Sequence, residues 1–150
     1  MNVFISGSRE INKSKVQPVI EKVIARLKEK GHTILVGDCD GVDFMVQQEV
    51  RRQDVPMVVY HVGNRPRNLV SPDTMQCKVT RTSEGYGAKD RVMARDCDMA
   101  IMFWNDWSPG TNKNVMSVGN LAKLAFVWSE KHGWLNHHDH KTEATMNMVN

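Results

Sequence analysis

Asp98-Met-Ala-Ile-Met-Phe-Trp-Asn-Asp-Trp-Ser-Pro-Gly-Thr-Asn-Lys-Asn-Val115 decides the fold class of this 150-residue chain. Met99 to Trp104 is an apolar run too short for a helix and bounded by polar residues, the pattern of a strand covered on both faces. Asn105 to Thr111 carries Asn, Asp, Ser, Pro and Gly, which is loop chemistry. Thr111 is then placed to cap a helix through Val115, Val118, Leu121, Ala122 and Leu124. Where a strand hands over to a helix through Gly-Thr, free backbone N–H groups, a hydroxyl and the positive helix end converge. An anion fits there, most naturally a phosphate.

Working outward, the same strand-turn-helix unit recurs. Val3-Phe4-Ile5 stops at Ser6-Gly7-Ser8-Arg9, and Val16, Val19, Ile20, Val23, Ile24 and Leu27 mark a one-sided helix. Pro18 sets its regular start near residue 15, and Gly31 ends it. Thr33 to Val36 is a second strand, followed by the acidic turn Gly37-Asp-Cys-Asp-Gly41 and a helix on Val42, Met45, Val46 and Val50. A third strand runs from Val55 to Val62, a short helix from Ala88 to Cys97, and a last strand over Phe126 to Trp128. This alternation predicts an α/β, Rossmann-like three-layer fold with a mostly parallel sheet of about five strands. Gly63 to Gly87 has no helical period. It is expected to be a lid over a ligand, with a strand pair around Met75 to Thr80 or a solvated basic excursion as alternatives. The domain is expected to span 1–134, with 135–150 a mobile polar tail.

Composition narrows the function classes. With 41% hydrophobic and 25% charged residues the chain belongs among globular domains. A net charge of +3 does not argue for nucleic acid, and no apolar run is long enough for a membrane span. Three cysteines without CxxC spacing speak against a disulfide framework or a zinc site, and Met1 leads straight into a strand. The expectation is a cytoplasmic protein with no metal and no cofactor. The histidines at 132, 137, 138 and 140 fall in the unpatterned tail and carry no metal site.

Turns after successive strands collect at the carboxyl edge of such a sheet, where ligands bind. Glycines allow close backbone approach, and an arginine forks onto phosphate. Gly7, Ser8, Arg9, Asp38, Gly41, Arg91, Ser108, Gly110 and Thr111 are therefore candidate binding residues. The acidic turn suits sugar hydroxyls or acid/base work. Asp43 is the leading catalytic candidate, with Glu84 beside it at the end of the expected lid. Arg91 and Arg95, four apart on one helix face, are placed to clamp phosphate, and Trp104 or Trp107 to stack a base.

The ordered set Gly7-Ser8-Arg9, Gly37-x-x-x-Gly41-Val42-Asp43, Lys89-Asp-Arg-Val-Met93, Cys97-Asp98-x-Ala-Ile-x-Phe-Trp104 and Ser108-x-Gly110-Thr111 resembles the SLOG superfamily in its YspA-like branch. That group is related to the DprA nucleotide-binding core and the Lonely Guy phosphoribohydrolases. The resemblance implies a pocket for a nucleotide or an ADP-ribose-like small molecule, and a homo-oligomer. It places Gly7, Ser8 and Arg9 in the first loop, Gly41 and Asp43 in the second, and Gly110 and Thr111 on phosphate. Two departures stand out. Lys89-Asp90 replaces the frequent Arg-Asn, which keeps Lys89 as a binding cation, and Asn112-Lys113-Asn114 stands where the phosphoribohydrolases carry a catalytic glutamate, with Lys113 expected to help bind phosphate. The expected function is hydrolysis of the N-glycosidic bond of a nucleoside or deoxynucleoside 5′-monophosphate. The alternative is a non-catalytic sensor or sequestering protein for a nucleotide- or ADP-ribose-derived signal. A DprA-like role on single-stranded DNA is the least favoured, since no basic, aromatic-rich stripe is present.

Overall fold

The computed structural model describes residues 1–70, 77–82 and 85–135. Its elements run β1 (Asn2–Gly7), α1 (Lys13–Glu29), β2 (Thr33–Val36), α2 (Val42–Gln53), β3 (Met57–Val62), β4 (Cys77–Thr82), α3 (Tyr86–Asp96), β5 (Met99–Trp104), α4 (Pro109–Asn120), β6 (Leu124–Ser129) and β7 (Gly133–Trp134). They form one sheet in the order β4-β3-β2-β1-β5-β6-β7, parallel except for β7. Seven strands replace the expected five or so, and the α/β three-layer class stands.

The layers follow from strand alternation. Side chains of β1 point alternately to the two faces, so Val3 and Ile5 join one core and Phe4 the other. Ile20, Ile24, Val46 and Val50 of α1 and α2 cover the first face; Met93, Ala94 and Val118 of α3 and α4 cover the second. Being covered on both faces is why β1 and β5 are nearly continuous apolar runs. Among the described residues no helix is long and apolar enough to cross a membrane.

Several boundaries differ from the sequence expectation. Helix α1 starts at Lys13 because the Asn12 side chain accepts from the Lys15 N–H at 3.2 Å, which puts Pro18 in the second turn. Helix α4 starts at Pro109, with Ser108 and not Thr111 in the cap position. It stops at Asn120, because Leu124 is drawn into β6 beside Met99 of β5. Among its described residues the 63–87 stretch supplies no strand pair. It supplies one edge strand, β4, parallel to β3.

The topology positions the site. From β1 the chain winds outward through β2, β3 and β4, then returns to pair β5 with the other side of β1, Gly7 opposite Phe103. Chains leaving β1 and β5 diverge at their carboxyl ends and open a crevice there.

Candidate functional site

The crevice is a cavity of about 710 Å³ between the ends of β1 and β5, helix α4 and the start of α3. Its back wall is steric. A Cβ at Gly7 would lie 2.4 Å from the Phe103 carbonyl oxygen, so only glycine lets β1 and the turn after it run this close to β5. Gly41 has φ +76°, and a Cβ there would meet the Arg9 carbonyl oxygen at 2.3 Å. Gly41 does not line the cavity; it locks the second turn onto the first.

The loop after β5 is held as tightly. Asn105 is buried, and its Oδ1 accepts from the N–H groups of Trp107 (3.1 Å) and Ser108 (2.8 Å). Its Nδ2 donates to the Glu10 carbonyl at 2.7 Å. Asp106 takes φ +75° and accepts from the Ser129 hydroxyl (2.5 Å) and the Lys131 N–H (3.0 Å). Trp107 is nevertheless 65% exposed, and it lines the cavity together with Met116.

At the start of α4 the hydroxyls of Ser8, Ser108 and Thr111 form a triangle. Ser8 and Ser108 share a hydrogen bond at 2.7 Å, and Thr111 lies 3.4 Å from both. Ser108 is thereby occupied and makes no side-chain cap. The first-turn N–H groups of any helix lack an acceptor within it; here no Ser108 side-chain cap closes the turn, and its residues Gly110 and Thr111 line the cavity at the positive end of the helix dipole. Gly110 has open space around it. Lys113 and, on α3, Arg91 add exposed cations, and Arg9 stands across the opening.

The floor is acidic and buried. Lys89 is only 1% exposed, and its Nζ lies 3.2 Å from Asp38 Oδ1. Asp38 is fully buried and also holds Arg67, through the backbone N–H (2.8 Å) and the guanidinium (2.8 Å). Burial pushes the Asp38 carboxyl up, but the Arg67 bonds and the Lys89 charge outweigh it and bring it down to about 2. Asp38 therefore anchors cations and does not face the cavity, contrary to its expected place among the binding residues. Gly37 leaves the room this needs, since a Cβ there would sit 2.6 Å from Asp43 Oδ2 and 2.8 Å from Lys89 Nζ.

Asp43, in the first turn of α2, is 5% exposed. Its Oδ2 accepts from the Cys39 N–H at 3.2 Å, while its Oδ1 has no partner. Burial drives its carboxyl up to about 7; Lys89 pulls against this and the neighbouring Asp90 adds to it. Burial also raises Asp90, with Lys89 and the Asn114 amide offsetting part of it. Two acids with raised proton affinity thus share the floor with one buried ammonium.

Of the candidates from sequence, Gly7, Ser8, Arg9, Asp43, Lys89, Arg91, Ser108, Gly110, Thr111 and Lys113 meet at this cavity; Asp38 and Gly41 support it from behind. Glu84 lies outside the described residues, as do the histidines at 137, 138 and 140. The expected lid is a strap at its start. Asn68 Nδ2 donates to the Asp38 carbonyl (3.0 Å) and Asp40 Oδ1 (2.9 Å), and the Val70 N–H donates to the buried Gln47 (2.9 Å). Sequence reasoning did not place Arg67, Asp90, Asn105 or Asn114 among the candidate binding or catalytic residues. Asn105 carried a usable signal, an Asn three residues ahead of a Ser-Pro helix start. Among the described residues no group of three or more His, Cys, Asp and Glu side chains is placed to hold a metal ion.

No family model matches the chain, and no curated protein matches it by sequence. Solved structures do match in fold. The molybdenum cofactor binding protein from Rippkaea orientalis superposes with a TM-score of 0.71 at 14% identity, over 99% of this chain and 84% of that one. The molybdenum cofactor carrier protein from Chlamydomonas reinhardtii gives 0.66 at 12% identity, over 99% and 84%. DNA processing protein A (DprA) from Streptococcus pneumoniae gives 0.64 at 17% identity, over 84% of this chain and 49% of that one. These neighbours share one architecture, and this chain has the same α/β fold.

Proposed function

We propose that the protein binds a nucleotide-like phosphate ester in the crevice between β1, β5 and α4. The observation that carries this reading is the uncapped first turn of α4, ringed by the hydroxyls of Ser8, Ser108 and Thr111 and opening into a cavity of about 710 Å³. The phosphate sits on the N–H groups of that turn, seconded by Lys113 and Arg9. A flat base lies against the Trp107 ring, which is close to the phosphate because it directly precedes the helix cap. The sugar then spans the floor over Asp43 and Asp90. Two proteins that share this fold are a molybdenum cofactor binding protein and a molybdenum cofactor carrier protein, which fits the non-catalytic alternative.

A second reading, cleavage, is favoured by one observation: the unpartnered Oδ1 of Asp43, buried yet lining the cavity. A carboxyl titrating near neutral pH is suited to general acid/base work. In this reaction Asp43 takes a proton from water as the water oxygen bonds to the anomeric carbon. The N-glycosidic bond breaks with its electron pair leaving on the base, which picks up a proton. The products are ribose 5-phosphate and free base.

Titration calorimetry with inorganic phosphate and AMP tests the binding reading. Trp107→Ala is expected to weaken AMP about tenfold and leave inorganic phosphate unchanged, because only the nucleotide carries a ring. Equal loss for both ligands overturns the placement of the base. Chromatography of AMP, dAMP and ADP-ribose after long incubation decides between the fates. Free base that disappears in Asp43→Asn supports cleavage, and tight binding without product supports the carrier.

A further inference from the structure

Beside the first cavity lies a second, of about 810 Å³, and the two share Arg91, Ser117 and Asn120. Helix α4 is their common wall. Gly110 and Lys113 border only the first cavity, Ser117 and Asn120 both, and Leu121 only the second. Twelve residues of helix make this wall about 18 Å long. A mononucleotide seated by its phosphate at the start of α4 reaches only part of that length.

The far end is basic. Arg81, at the end of β4, and Arg95, one turn beyond Arg91 on α3, line the second cavity together with Arg91. All three are exposed. Arg81 and Arg91 pair with no acid among the described residues, and Arg95 meets only its neighbour Asp96, at 3.4 Å. Among the described residues Asp96 is the one acid lining this cavity, and it is also engaged by the Tyr60 hydroxyl at 2.9 Å. Three guanidinium groups against one committed carboxylate form an anion subsite, since arginine forks onto phosphate oxygens in a way that a point charge does not.

We propose that the ligand carries a second phosphate, remote from the first, that Arg81, Arg91 and Arg95 hold at the far end of α4. This rests on the reading of the first cavity as a nucleotide site and narrows its ligand to a nucleotide extended by another phosphorylated unit. Either a linear phosphodiester or a diphosphate-bridged dinucleotide with a ribose phosphate supplies that chemistry.

The test compares AMP, the 5′-phosphorylated dinucleotide pApA and NADP by titration calorimetry at fixed ionic strength, on the wild type and on the Arg81→Gln/Arg95→Gln double variant. Both substituted side chains are exposed and border only the second cavity. At least one two-unit ligand is expected to bind the wild type about tenfold or more tighter than AMP, and which one does so identifies the linkage. The double variant is expected to lose that surplus while its AMP affinity holds. Equal wild-type affinities for all three overturn the second subsite and leave the nucleotide site standing. A surplus that survives in the double variant also overturns it. No AMP binding by the wild type overturns both readings together.

Discussion

Asp43→Asn is expected to change stability in a pH-dependent way that the site itself dictates. The folded carboxyl titrates near 7 instead of at its ordinary 3.8, because it is buried. Between those values the folded state keeps a proton that the unfolded chain has lost, so this group lowers stability as pH rises from about 4 to about 7 and then levels off. The cost accumulated by neutral pH is about 4 kcal/mol, of which about 3 kcal/mol develops between pH 5 and pH 8. Asparagine has the same shape and no titration. Its oxygen can still accept from the Cys39 N–H, but its NH₂ then falls where Asp43 Oδ1 has no partner, at a cost of about 1–3 kcal/mol. The variant should therefore be level with or below the wild type at pH 5 and more stable by about 1–3 kcal/mol at pH 8. Asp38 contributes stability that is lost only as pH falls from 3.8 through about 2, outside this window and common to both proteins. Urea unfolding at half-unit pH steps measures the difference. A gap that stays constant from pH 5 to 8 would refute the assignment of a protonated, buried Asp43.

Other outcomes follow from the same geometry. Gly110→Asp has open space and an acid there favours the helix dipole, so folding should be unchanged while phosphate affinity falls at least about a hundredfold in calorimetry. Gly7→Ala should lower the urea-derived stability by about 2 kcal/mol or more, since its Cβ would sit 2.4 Å from the Phe103 carbonyl oxygen; a neutral result would mean the β1–β5 edge can spread. Asp38→Asn removes the nearest anion from the buried Lys89 ammonium, leaving it Asp90 at 3.8 Å, and also from Arg67; it should cost about 3–5 kcal/mol, whereas Asp40→Asn, which keeps an acceptor for Asn68, should stay within about 0.5 kcal/mol.

The parts of the fold legible in the sequence are those where burial is complete. Met99–Trp104 is bounded the same way in sequence and structure because it is covered on both faces, and α1 and α2 carry clean one-sided patterns. The edges were not legible. β4 reads Cys-Lys-Val-Thr-Arg-Thr, alternately polar because it lies at the sheet margin, and β7 is two residues long. Glycines at turns pointed to the crevice because close approach leaves no substitute there. The side chains that brace it, Arg67 against Asp38 and Asn105 against Glu10, are pairs 29 and 95 residues apart and leave no local pattern to read. The reversal of Asp38 from expected ligand contact to buried anchor has the same origin, because its partners come from a strap and from α3.

The hydroxyl bond between Ser8 and Ser108 joins residues 100 positions apart. One side of the proposed anion site comes from the turn after the first strand and the other from the cap of the helix after the fifth, so the site does not exist until the sheet has closed across β1 and β5. Closing so long a loop is slow and entropically costly. The proposed ligand would thus bind only once β1 and β5 have paired, and its binding would feed back on folding through mass action: at a hundredfold excess over Kd a ligand adds about 2.7 kcal/mol to the folded state. In cells, the abundance of this protein would then follow the concentration of what it binds.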